Sequence, residues 1–368
     1  MSMKTIWWWV IGAVVVAGVA YVGLQQQKPQ GEAGAVKIGA ILPLTGSNAA
    51  HGEFARRGIE LAREHLGAQA PHVIYEDNQF DPKLAVSAYQ KLHNIDHVQA
   101  LLILGSPSGM SLSPLVNKDH IPLLGIVAAP PYSSPDDFTY RIVGSSVIEA
   151  RELTKLVIDT FHPRKIGLLV MNNDYGKGTA TAIKKEFATQ AKDVSITETA
   201  FNPDETDMRS QVQQLKAANP DVVVIAALGK ETGIFVKQAA TLGLRARFVC
   251  AQACENPDLI TAGGIAAEGV LMTVPDETAD ATFTNAYMAK YKEAPNFVSM
   301  RMYRATLLFS KVFGQCKTVI GDALQSCLQE KLYASQDQSL FVFDKNGDID
   351  DHFVLRVVHN GAFIPLQQ

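Results

Sequence analysis

This chain lacks an excess of charge of either sign, and it is poor in cysteine. Of 368 residues, 33 are Lys or Arg and 37 are Asp or Glu, a formal net charge of −4. So even a balance carries no electrostatic footprint of a nucleic-acid binder. There are four cysteines: Cys250, Cys254, Cys316 and Cys327. None lies near residue 20, which argues against a lipid-anchored lipoprotein. Cys250 and Cys254 have no neighbouring His and no second close pair, so a zinc site is disfavoured. A tight disulfide and a pair of buried free thiols both stay open for them. Cys316 and Cys327 suit one small disulfide loop in an oxidising compartment.

Catalytic signatures are missing as well. Gly176-Lys177-Gly178-Thr179 follows a strand pattern and opens a helix, but lacks the third glycine and the later acid of a dinucleotide site. Gly105-Ser106-Pro107-Ser108-Gly109 has proline where a nucleophile elbow needs serine. Asp344 to Asp351 resembles a calcium loop but has Gly347 at the wrong place and no terminal Glu. A polar hairpin between strands Ser339–Phe343 and His352–Val358 fits it better. The expectation is a protein with no catalytic residue, no metal and no cofactor.

What the chain does have begins with Ile6 to Leu24, a run free of charge and about long enough to span a bilayer as a helix. Gly18 and Ala20 offer a signal-peptidase site. Trp7, Trp8 and Trp9, with the apolar run continuing to Leu24, suit an uncleaved anchor instead. Residues 1–24 are therefore a signal peptide or a membrane anchor, and either exports the rest. Residues 25–35 read as a polar linker, at most about 35 Å long.

From Val36 the pattern becomes α/β. Val36 to Leu42 is a short apolar run ended by Pro43 and turn residues, and Phe54, Ile59, Leu61 and Leu66 follow at helical spacing. Strands are expected at Val73–Tyr75, Ala100–Leu104, Pro122–Val127, Lys165–Met171, Val194–Thr199, Asp221–Ala227 and Arg247–Ala251. Helices are expected at Pro82–Leu92, Ile148–Phe161, Thr179–Ala191, Met208–Ala217 and Thr232–Leu242. Two such series joined by short polar loops predict two parallel-sheet domains, with small molecules bound beyond the strand ends.

Pro43-Leu44-Thr45-Gly46, Asp81-Pro82, Asn173-Asp174-Tyr175-Gly176, Asn219-Pro220-Asp221 and Ala267-Glu268-Gly269-Val270 occur here in a telling order. On these motifs the chain resembles the periplasmic-binding-protein type I family, in the branch of the leucine/isoleucine/valine-binding proteins of ABC importers. The resemblance implies two Rossmann-like lobes joined by a three-segment hinge and closing on a ligand. Lobe 1 would hold 36–144 plus 275–338, and lobe 2 would hold 145–274 plus 339–368. The crossings would fall near Val143–Ser146, Thr273–Asp276 and Asp337–Leu340.

Carried over residue by residue, the resemblance puts Ser106 and Ser108 at the ligand after the third strand, with Gly109 allowing close backbone approach. Backbone groups of Ala128 and Ala129 follow the fourth strand. His51 and Tyr175 supply facing walls, and His51 would bind a carboxylate if it were an imidazolium. Gln252 stands where amino-acid binders have an acid for the ligand ammonium, and Ser146 replaces a frequent Asp. Burying an ammonium without counter-charge is costly, so an organic acid or amide is expected ahead of an amino acid, with branched-chain amino acids as an alternative. The expected partners are that ligand, an ABC permease in the inner membrane and, for an uncleaved anchor, the membrane itself. The expected state is a periplasmic monomer. A sensory ectodomain is the rival reading, but the sequence shows no second membrane helix or cytoplasmic domain to support it.

Overall fold

The computed structural model describes residues 36–276, 280–316, 321–333 and 340–366, so the proposed leader and linker lie outside the described residues. Among the described residues no helix is long and apolar enough to cross a membrane.

Strands β1 (Lys37–Leu42), β2 (His72–Asp77), β3 (Ala100–Leu104), β4 (Leu123–Ile126) and β5 (Thr139–Arg141) form a parallel sheet in the order β2-β1-β3-β4-β5. Helices α1 (Ala49–Leu66), α2 (Pro82–Asn94) and α3 (Ser106–Asp119) connect them. A second sheet takes β6 (Lys165–Met171), β7 (Ser195–Phe201), β8 (Val222–Ala226), β9 (Arg247–Cys250), β10 (Leu271–Pro275), β11 (Phe353–His359) and β12 (Ala362–Pro365). Its order is β12-β11-β10-β9-β8-β6-β7, with β11 and β12 antiparallel additions to a parallel core. Helices α4 (Ser146–Phe161), α5 (Asp174–Gln190), α6 (Arg209–Ala218), α7 (Gly229–Leu242) and α8 (Pro257–Gly263) flank it.

The sequence explains these choices locally. β3 (ALLIL) and β8 (VVVIA) are buried at every position, as strands covered on both faces must be. Asp81 starts α2 by accepting from the N–H groups of Lys83 and Leu84, with Pro82 at the first helical position. α5 starts earlier than expected because Asn173 caps it, its side-chain Oδ1 accepting from Gly176 N at 2.9 Å. The largest departure is Ser106–Gly109, expected as a loop and found as the first turn of α3. Gly105, at φ +107°, makes the corner out of β3, and Pro107 is well suited to an opening helical turn.

Three helices follow β10: α9 (Ala281–Tyr291), α10 (Phe297–Gln315) and α11 (Gly321–Tyr333). α10 packs tightly on α1. A Cβ added at Gly58 would lie 2.0 Å from the Ser299 carbonyl oxygen, so only glycine permits this approach. Cys316 and Cys327 form a disulfide between the end of α10 and α11, whereas Cys250 and Cys254 are buried free thiols.

The polar turn at 344–351 is closed by Asp344, whose Oδ1 accepts from the N–H groups of Asn346 and Asp348. The expected strand before it reduces to a single bridge between Phe343 and Ile349. This stretch rests beside β5. Arg141 donates its N–H to Gly347 O at 2.8 Å and pairs with Asp348, and Asp351 accepts from both Gly144 N and Arg301. On these contacts we propose that the third crossing lies at 351–353, about a dozen residues beyond the expected one, and that 340–351 accompanies the first sheet.

Candidate functional site

The carboxyl ends of the two sheets face each other across a cavity of about 50 Å³. A water-sized group occupies roughly 10–15 Å³ on that measure, so three to five such groups fit. The first sheet contributes Leu104 and Ile126 at strand ends, Gly105 and Ser106 at the start of α3, and Ala128. The second contributes Tyr175 from the first turn of α5, Leu228 after β8, and Gln252 with Ala253 after β9. His51 on α1, Phe80, the crossing residue Val143, and Phe297 and Val298 at the start of α10 complete the lining.

Five of the seven residues expected at the ligand thus share one cavity: His51, Ser106, Ala128, Tyr175 and Gln252. Ser108 and Ala129 do not line it. The Ser108 hydroxyl accepts from Asn78 Nδ2 at 2.8 Å, because the helical turn aims it at the β2 end. Ala129 directs its N–H to Ser106 Oγ at 3.2 Å, so Ser106 faces the cavity with that hydroxyl already engaged. Gly109 packs against Val127 and not the cavity; the glycine at the lining is Gly105.

No ionised side chain borders the cavity among the described residues. Instead it is bordered by helix starts: those of α3, α5 and α10, and Leu228 immediately before α7. Helix amino ends carry partial positive charge and free N–H groups, which favours a carboxylate or carbonyl oxygen over a cation.

Two of the lining residues carry a buried polar atom with no partner: His51 Nε2 and Gln252 Oε1. Burial pushes His51 down to about 4, so the ring is neutral at pH 7. That corrects the imidazolium reading. A neutral imidazole can exchange a hydrogen bond with a ligand but cannot supply a charge.

The residue that sequence reasoning missed is Glu149, fully buried on α4 directly behind Gln252. Its Oε1 accepts from Gln252 N at 2.5 Å and Thr273 Oγ1 at 2.8 Å, and its Oε2 accepts from Gln252 Nε2 at 3.0 Å. Burial, with the nearby Asp351 charge adding to it, lifts Glu149 to about 7 despite those three hydrogen bonds. One sequence signal existed. Glu149 falls four and eight residues before Leu153 and Val157 on the buried face of α4, an acid placed in an apolar stripe. Phe80 and Leu228 follow from strand-end logic, whereas Phe297 and Val298 follow no strand and carried no signal.

This arrangement has known counterparts. The chain is 25% identical over 334 residues to the leucine-, isoleucine-, valine-, threonine- and alanine-binding protein of Pseudomonas aeruginosa, covering 85% of this chain and 87% of that protein. The leucine-binding protein LivK of Thermotoga maritima superposes with a TM-score of 0.83 at 20% identity, over 90% of this chain and 98% of the other. LivJ of Streptococcus pneumoniae, solved with isoleucine, gives 0.79 at 20% identity over 89% and 97%. At such identities the two structures speak for the fold, which is the two-lobed type I arrangement. The family model described as "Periplasmic binding protein" matches residues 35–361. With nearly the whole described chain accounted for, and with a cavity built from the strand ends of two facing sheets, this protein belongs to the periplasmic binding protein family.

Proposed function

We propose that this protein captures a small solute between its two lobes, performs no chemistry on it, and delivers it to an ABC permease of the inner membrane after export. The observation that carries this reading is the cavity itself, walled by both sheets and bordered by helix starts. Its lining is mostly apolar, with two unpartnered polar atoms, which suits a short apolar body carrying a carboxylate or amide head. The enclosed volume favours a compact ligand, since a larger one needs the lobes further apart.

Branched-chain amino acids are the second reading. The names of the relatives favour it, and so does Glu149, which brings a carboxylate to within one side chain of the cavity. Glu149 removes the argument that Gln252 leaves an ammonium without any counter-charge nearby.

Titration calorimetry with short carboxylates, amides, ureas and the aliphatic amino acids tests the reading, with small-angle scattering on any ligand found. Binding favours the closed form and should compact the protein. An unchanged scattering profile at saturation removes lobe closure, and turnover of the ligand removes the binding-protein reading.

A further inference from the structure

We infer that Glu149 is a positioning residue that sets the hydrogen-bonding polarity of the cavity: it holds the Gln252 amide with its oxygen facing inward, so that the site selects a ligand bearing an N–H donor. The inference rests on the capture reading and deepens it.

The geometry is specific. A primary amide can be turned about its last torsion to present either oxygen or nitrogen. Here the choice is fixed by partners: Gln252 Nε2 donates to Glu149 Oε2 at 3.0 Å and to Gly144 O at 3.4 Å, both acceptors. Turning the amide would set its oxygen against a carboxylate and a carbonyl. The backbone N–H of Gln252 is tied to the same carboxylate at 2.5 Å, so the residue is gripped at both ends. The outcome is the orphaned Oε1, a buried acceptor on a residue that lines a mostly apolar cavity, with nothing from the protein donating to it. Leaving such an atom unpaired is costly, and a ligand N–H relieves that cost where a ligand oxygen adds repulsion.

The groups facing Glu149 leave its charge uncompensated. They are Thr273 on β10, Tyr175 on α5, the Cys250 thiol on β9, and Asp351, which is itself paired with Arg301 of α10. Among the described residues no cation pairs with Glu149. Its protonated form would offer an O–H and permit the amide to turn, so the preference for N–H donors should weaken as Glu149 takes up a proton. Two ligand chemistries supply the donor, a neutral primary amide and an ammonium.

Isovaleramide, L-valine and isovalerate separate these cases, since isovalerate presents acceptors only. Calorimetry on the intact protein should give at least one N–H ligand an affinity about tenfold or more above isovalerate. Tighter binding of isovaleramide identifies the neutral amide. Tighter L-valine, with proton release in buffers of differing ionisation heat, identifies the ammonium. Glu149→Gln should bring the ratio to isovalerate below about threefold, because an amide partner can hold Gln252 either way round. A merely structural role would lower all affinities together and leave the ratio intact, which overturns the inference. Should that variant not fold, the same ratio in the unmodified protein must fall from about pH 8 to about pH 5.5; a constant ratio is equally fatal. Isovalerate binding as well as the tighter of the two N–H ligands overturns the inference. So does failure of all three while another compound binds. Failure of every compound tried overturns the capture reading itself.

Discussion

The two walls of the cavity each bury one titratable group, and burial drives the two in opposite directions. His51, on the first-sheet side, is pushed down to about 4, and Glu149, behind the second-sheet side, is lifted to about 7. The cause is common: an apolar enclosure disfavours the charged form of either group. The supports differ. His51 Nε2 has no hydrogen-bond partner, whereas Glu149 keeps three hydrogen bonds that favour its anion. The first wall is chiefly a shape with one adaptable ring. The second holds a charge in reserve, and this contrast suggests that selection between ligand heads resides there.

The largest expected effect comes from separating the walls at their shared anchor. Arg301 and Asp351 form a buried pair, 5% and 8% exposed, next to the crossing at Gly144. Arg301→Met leaves Asp351 buried and unpaired and should remove about 3–5 kcal/mol of stability in chemical denaturation. A loss below about 1 kcal/mol would mean that water already reaches the pair.

The opposite shifts of the two walls can be tested directly by pH. His51 binds a proton near 6.5 when unfolded and near 4 when folded, so its contribution is full above 6.5 and is lost as pH falls through that window. Glu149 loses its proton near 4.5 unfolded and near 7 folded, so its contribution is full below 4.5 and is lost as pH rises to about 7. Each amounts to roughly 3 kcal/mol at most, and the two offset each other between about 4.5 and 6.5. His51→Gln should therefore leave stability falling with rising pH, and Glu149→Gln should leave it rising. Urea melts across that range check both, and slopes of the same sign in the two variants would refute the contrast.

A smaller effect is expected on the first wall alone. Gly58→Ala would press a methyl into the Ser299 carbonyl and shift α1 against α10, costing about 1–3 kcal/mol. Because α1 carries His51 and α10 carries Phe297, ligand affinity should fall with stability. Unchanged affinity would detach the α1–α10 contact from the site. The smallest change belongs to Tyr175→Phe. Its hydroxyl accepts only a long 3.4 Å bond from Ala253 N, so the loss should stay below about 1 kcal/mol, in either stability or affinity. A tenfold loss of affinity would show instead that the hydroxyl meets the ligand.

Much of the fold was legible because parallel strands buried on both faces read as plain apolar runs: the expected bounds of β3 and β6 coincide with those observed. Polar termini were less clear. Ser106-Pro107-Ser108-Gly109 has the composition of a loop, and only the surrounding contacts make it a helical turn. The cavity was legible wherever a strand end pointed to it, as at Ser106, Tyr175 and Gln252. Ser108 was misjudged because one step along a helix rotates a side chain by about 100°. Glu149 escaped because the reading compared the position at Gln252 with an acid and found a neutral amide. Only three dimensions bring α4 behind that amide, 103 residues away in sequence.

The seating of α10 on α1 also has a consequence for how the chain comes into being. Arg57 of α1 and Tyr291 meet across 234 residues of sequence, and Gly58 abuts Ser299. At a synthesis rate of about 5–20 residues per second, the ribosome needs roughly ten to fifty seconds to make that intervening stretch. For that interval the face of α1 that receives α10 has no partner, and that side of the first sheet stays unsealed. A polypeptide so arranged stays threadable until its synthesis is nearly complete, which suits a protein whose leader is expected to route it through a membrane before it closes.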